Sequence, residues 1–138
     1  MQSLEILLVE DNAGDAVLIR QILAEASVPV NLHIARDGEQ AMTMLRDALF
    51  QPALIILDLN IPRITGAALL ERWKSIETPV VVFSSSLNDA ERERVLALGA
   101  REFIQKPTDI EAFTKAVCDL VERYAGPGGR KAVGGASV

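Results

Sequence analysis

The chain has 138 residues, 49% of them apolar and 24% charged, with a net charge of -5 and a single cysteine, Cys118. That length holds one domain with a core of its own and is short for two. Charges interrupt every apolar run before the roughly 18 residues of a membrane span, the acidic balance argues against nucleic acid as a general partner, and a lone cysteine with no basic, signal-like N-terminus suits the cytoplasm.

Residues 6–9, 54–57 and 80–83 are short continuous apolar runs, as expected of strands buried on both faces of a parallel sheet. Val30, Leu32 and Ile34 alternate with more polar neighbours, which reads as a strand near a sheet edge. A fifth run, 102–105, ends at Lys106-Pro107. Between the runs lie amphipathic stretches. Residues of about 14–27 place Leu18, Ile19, Ile22, Leu23 and Ala26 on one helical face. Asp37-Gly38 opens a helix with Ala41, Leu45 and Leu49 inward, and a third spans about 66–74 with Ala67, Leu70 and Trp73 packing. Asn88 or Asp89 caps a fourth, which Gly99 ends. Asp109 caps a fifth, with Ile110, Phe113, Val117, Leu120, Val121 and Tyr124 as its buried stripe.

Strand and helix alternate five times, so right-handed crossovers and helices on both faces of a doubly wound parallel sheet are expected. The domain covers 1–125. Residues 126–138, GPGGRKAVGGASV, read as a flexible Gly-rich tail.

The runs deliver chemistry to their ends: Glu10-Asp11 after the first strand, Asp58 after the third, Ser84 at the fourth, Lys106 after the fifth. In strand order 2-1-3-4-5 these ends meet where the order reverses, the place where open α/β sheets bind ligands. Crowded carboxylates repel unless a cation lies between them. Oxygen-only donors suit a small hard ion such as Mg²⁺. With such an ion and a lysine neutralising charge, Asp58 is placed to attack a phosphoryl group. Any one of these residues alone has a plainer reading: a helix cap, a polar turn, a core phenylalanine at 103, a surface histidine at 33.

VEDNAGD, LDLNIP, VVFSSS and FIQKP together resemble the receiver domain of two-component response regulators, over roughly residues 4–124. ILLVEDNAGDAVLI and the DLNIP turn are most similar to the small stand-alone regulators paired with bacterial phytochrome-type histidine kinases. The resemblance implies a flavodoxin-like fold and a phosphoacceptor at Asp58. It implies Mg²⁺ held by Glu10, Asp11, Asp58 and the main-chain carbonyl of Asn60. Lys106 pairs with the phosphoryl group, across a cis Lys106-Pro107 bond. Ser84 and Phe103 form the switch. Histidine kinases are the implied donors, and a face of the fourth helix, fifth strand and fifth helix serves output or homodimerisation, with catalysis confined to the chain's own phosphorylation. Three other readings stand beside it. An aspartate-nucleophile phosphatase would want a second Asp where Asn60 stands. A flavin or nucleotide binder would want a Gly-rich loop after the first strand. A pseudo-receiver would keep the fold without phosphorylation.

Overall fold

A computed structural model describes residues 3–86 and 88–125. The strands β1 (Leu4–Val9), β2 (Val30–Ala35), β3 (Leu54–Leu57), β4 (Val80–Ser84) and β5 (Glu102–Gln105) form one parallel sheet in the order β2-β1-β3-β4-β5. The helices α1 (Ala13–Ala24), α2 (Gly38–Arg46), α3 (Gly66–Arg72), α4 (Asp89–Ala97) and α5 (Ile110–Ala125) alternate with them. The expected tail, 126–138, lies outside the described residues.

The pleat sorts the apolar residues into two cores. Leu4, Ile6 and Leu8 of β1, with Leu54, Ile56, Val81 and Phe83, pack beneath α1 and α5. Leu7, Val9, Ile55, Leu57, Val80 and Val82 pack beneath α2, α3 and α4. Strands covered on both sides need apolar residues at every position, which is why their sequences run continuously rather than alternate. At the sheet edge, the carboxylate of Glu102 on β5 accepts from Arg123 at 2.7 and 3.2 Å and from the Tyr124 hydroxyl at 2.7 Å, tying down the last turn of α5.

Side-chain caps start all five helices: Asn12, Asp37, Thr65, Asn88 and Asp109 each accept a backbone N–H three residues on. Gly99 follows α4 at φ +113°, the left-handed value that a glycine adopts without cost.

Several expectations need correction. Helix α1 stops at Ala24, where the Glu25 N–H donates to Ile22 O and the Ala26 N–H to Leu23 O, tightening the last turn before the chain enters β2. Leu49 is 94% exposed rather than inward: α2 ends at Arg46, and the turn held by Asp47 carries Leu49 outward. Ile110 opens α5 on its solvent side, leaving Phe113, Val117, Leu120, Val121 and Tyr124 as the buried stripe. His33 is half-buried, with Nε2 2.7 Å from Glu5 Oε1 and its ring 4.7 Å from that of Phe50, so it is more enclosed than a surface residue. The Lys106-Pro107 bond is trans, since the described residues contain no cis peptide. Trans is the lower-energy form even before proline, and Lys106 reaches its partners from it.

Helix α2 begins in tight contact with the loop that follows β3. A Cβ on Gly38 would fall 2.7 Å from Ile64 Cβ and 2.9 Å from the Ile64 carbonyl oxygen. The Gly38 N–H donates to Pro62 O in the same loop. Gly38→Ala should therefore cost about 1–3 kcal/mol of stability in urea unfolding, because backbone must move to admit the methyl group. Gly14→Ala, in the exposed first turn of α1, should stay within about 0.5 kcal/mol of the parent. Equal stability of both variants would show that the loop yields freely.

Candidate functional site

Beyond their last assigned residues, three strands keep the ladder going for one more step. Glu10 N–H donates to Ala35 O at 2.9 Å, Asp58 N–H to Val9 O at 3.0 Å and Lys106 N–H to Ser84 O at 2.8 Å. The alternation therefore carries through. Glu10 follows Leu8, Asp58 follows Ile56 and Lys106 follows Ile104, so all three side chains stay on the face covered by α1 and α5.

There they meet. The Lys106 ammonium donates to Glu10 Oε1 at 2.8 Å, to Asp58 Oδ2 at 3.0 Å and to Asp15 Oδ2 at 2.8 Å. The three protons of Nζ thus have three carboxylate acceptors. The second Glu10 oxygen accepts the Asn12 N–H at 3.0 Å, and Asp58 Oδ1 accepts the Asn60 N–H at 3.1 Å. Glu10, Asp58 and Lys106 are buried, and every buried side-chain polar atom among the described residues has a partner.

One ammonium cannot neutralise three carboxylates, and the titration behaviour follows from that. Burial, then the hydrogen bond and charge of Asp58, push Glu10 up to about 7 against the pull of Lys106. Burial acts on Asp58 in the same sense, yet the hydrogen bond from Glu10, the Asn60 N–H and Lys106 together outweigh it and hold Asp58 below the usual range. The pair is thus split into a proton holder and an anion. Burial alone would lower Lys106, but the contacts with Asp15, Glu10 and Asp58 raise it above its ordinary value, so it stays charged.

The other predicted residues stand around this centre. Asp11 is exposed at the rim, its carbonyl accepting from Arg36 at 3.3 Å. Asn60 is exposed, in contact through its backbone N–H. Ser84 is fully buried and continues the alternation of Val80 and Val82. It therefore points to the opposite side of the sheet, the side of α4, where its Oγ accepts the Ser86 N–H at 3.4 Å. Phe103 projects to that side too, packed partly against the second core, and lines a cavity of about 70 Å³ with Ser86, Asn88, Asp89, Arg92 and Gln105. Asp15 was not foreseen. The signal was its place in the first turn of α1, three residues after Asn12, whose side chain accepts the Asp15 N–H.

Among the described residues, no three acidic, histidine or cysteine side chains are gathered closely enough to ligate an ion as they stand. The donor chemistry nonetheless suits a hard divalent cation: buried, over-charged carboxylates and a neighbouring backbone carbonyl, oxygen throughout.

Comparison with known proteins identifies the family. Residues 6–118 match the family of the response regulator receiver domain. The phosphorylated cyanobacterial phytochrome response regulator RcpA is 33% identical, with a TM-score of 0.85 over 91% of this chain and 96% of that one. The Mn²⁺-bound form of response regulator Rcp1 is 29% identical, with a TM-score of 0.82 over 89% and 95%. The probable methanogenesis regulatory protein FilR2 of Methanothrix harundinacea is 30% identical over 88% of this chain and 83% of its own. Other curated relatives are longer, and the chain spans between 3% and 54% of them. No helix of the described residues is long and apolar enough to cross a membrane. The chain belongs to the response regulator receiver domains, with the flavodoxin-like fold of that family.

Proposed function

We propose that the chain is a phosphorylation-dependent signalling switch in which Asp58 takes a phosphoryl group from the histidine of a partner kinase. What supports this reading is the buried contact of Lys106 with Asp58 and Glu10 at the reversal point of a receiver fold. An Asp58 oxygen forms a P–O bond as the donor's P–N bond breaks, the electron pair leaving with the imidazole nitrogen. Glu10, Asp11, Asp58 and the Asn60 carbonyl would hold Mg²⁺, which supplies positive charge between two approaching anions. The Mn²⁺-bound Rcp1 structure supports a divalent ion in this role.

The chain's own residues do the rest. Lys106 is already charged and within 3.0 Å of Asp58, so it needs only a short movement to pair with a phosphoryl oxygen. Ser84, at the end of β4, turns toward the same group, and the space it leaves admits Phe103. That repacks the face of α4, β5 and α5 toward a protein partner or a second copy. The likeness to RcpA points to a phytochrome-type kinase as donor. The chemistry stays confined to the protein's own phosphorylation and dephosphorylation.

Acetyl phosphate with Mg²⁺ should give an adduct of one phosphoryl mass, lost without the ion and in Asp58→Asn; stable labelling of that variant elsewhere would refute the assignment. Lys106→Ala should still accept phosphate in part but leave the surface of α4, β5 and α5 unchanged by amide exchange, and a normal response from it would sink the coupling.

A proton and a cation compete for Glu10. Its carboxyl is raised from 4.5 to about 7, so in the cation-free chain the folded state binds more protons than the unfolded one between those values. Stability contributed there is present at the acid end and lost as pH rises through about 7. Cation affinity should run the other way, increasing about tenfold from pH 6 to 8 with proton release, as read by calorimetry in two buffers. A flat affinity would show that Glu10 is already ionised.

A further inference from the structure

Asp15 is the acceptor in the lysine cluster that the proposed chemistry does not use. Of the three carboxylates around Lys106 Nζ, Glu10 and Asp58 are also the groups assigned to the cation and the phosphoryl group, whereas Asp15 stands on α1. Its place there is set by a closed circuit of contacts. Glu10 Oε2 holds the Asn12 N–H at 3.0 Å, and Asn12 Oδ1 holds the Asp15 N–H at 2.9 Å. Asp15 Oδ2 then holds Lys106 at 2.8 Å, and Lys106 returns to Glu10 at 2.8 Å. The Lys106 side chain is 8% exposed, so its ammonium cannot turn to water when a partner is withdrawn.

We infer that Asp15 is a positioning residue for Lys106, an anchor that keeps the buried ammonium paired while Glu10 and Asp58 are released to a cation and then to a phosphoryl group. The inference rests on the function proposed above. Its physical content is competition. Without Asp15 the ammonium has two carboxylates left, the same two the cation requires, and it clings to both. Removing Asp15 should therefore weaken cation binding through Lys106, beyond what the loss of one nearby negative charge does by itself.

The test is a double-mutant cycle read by Mn²⁺ binding, with the free ion followed by its paramagnetic resonance signal. Asp15→Asn should weaken Mn²⁺ binding about five- to tenfold in the parent chain and less than about twofold in Lys106→Met, where no ammonium competes. Equal losses in both backgrounds would mean that Asp15 acts only through its field and would overturn the inference, as would no loss in either. Asp15→Ser repeats the cycle should the asparagine variant lose its cooperative unfolding transition. The steady level of acetyl phosphate labelling should fall in step with cation affinity in Asp15→Asn and recover at saturating Mg²⁺. A labelling defect that saturating Mg²⁺ leaves untouched would count against the anchor. If the parent chain takes up label yet Asp15 has no effect, only the anchor fails; if the parent neither binds Mn²⁺ nor takes up label, both readings fall.

Discussion

The ammonium of Lys106, enclosed among three carboxylates, is the contact on which the rest of this molecule depends. It joins residues 96 and 48 positions apart in sequence, from the ends of β1, β3 and β5, and adds one from α1. A buried charge set of this kind contributes little net stability, because desolvation offsets much of the attraction. Its value lies in what happens when a member is taken away. Each partner withdrawn leaves a charge exposed to low dielectric, so anything that engages Asp58 or Glu10 must be answered by motion elsewhere. A receiver needs that property, since a single modification has to be felt beyond its own site.

The two faces of the sheet divide the labour. Side chains that continue the even-numbered alternation of β1 and β3 gather the charges on the side of α1 and α5. Ser84 and Phe103 fall on the other side, toward α4. The backbone at the carboxyl ends of β4 and β5 lies between them and is joined there by Lys106 N–H to Ser84 O at 2.8 Å. Movement of the Lys106 side chain and movement of the Ser84 loop are thus applied to one hydrogen-bonded pair of strand ends. Under the proposed function, chemistry would stay beneath α1 and the readout would appear at α4 and β5, because a pleated strand shows alternate residues to opposite layers.

Much of this could be read from the residues. Continuous apolar runs marked the buried strands, and three of the five caps, Asp37, Asn88 and Asp109, were visible ahead of amphipathic stretches, whereas Asn12 and Thr65 were not singled out. The convergence of Glu10, Asp58 and Lys106 followed from strand order, since order alone decides which strand ends are neighbours. What escaped were features set by contacts rather than by pattern. Leu49 keeps the helical spacing of Ala41 and Leu45, yet the turn at Asp47 breaks the helix first. Asp15 looked like one more acid in a polar helix start, and only the reach of Lys106 across the site gives it a partner. His33 and Asn31 are polar residues of an edge strand whose shared carboxylate neighbour on β1, Glu5, could not be seen before the register was known.

The loop after Asp58 carries a constraint of a different kind. Arg63 has φ 76°, and the Ile64 N–H donates across it to Pro62 O at 2.9 Å, a γ-turn that an L-residue enters at a cost. That conformation persists because its surroundings over-determine it. Arg63 Nε lies 3.3 Å from Asp37, the cap of α2, and Gly38 is the residue whose missing side chain lets Ile64 sit against the helix. Asp58 is therefore followed by a segment fastened at Asn60, at Pro62 and at Ile64, with little freedom to recoil when charge is added. Under the proposed function, a stop on that side would leave the β4 and β5 ends to accommodate the change. In the switch proposed above, displacement at Asp58 would then be directed toward Ser84 and Phe103, and the fastened loop would select which face of the domain registers the event.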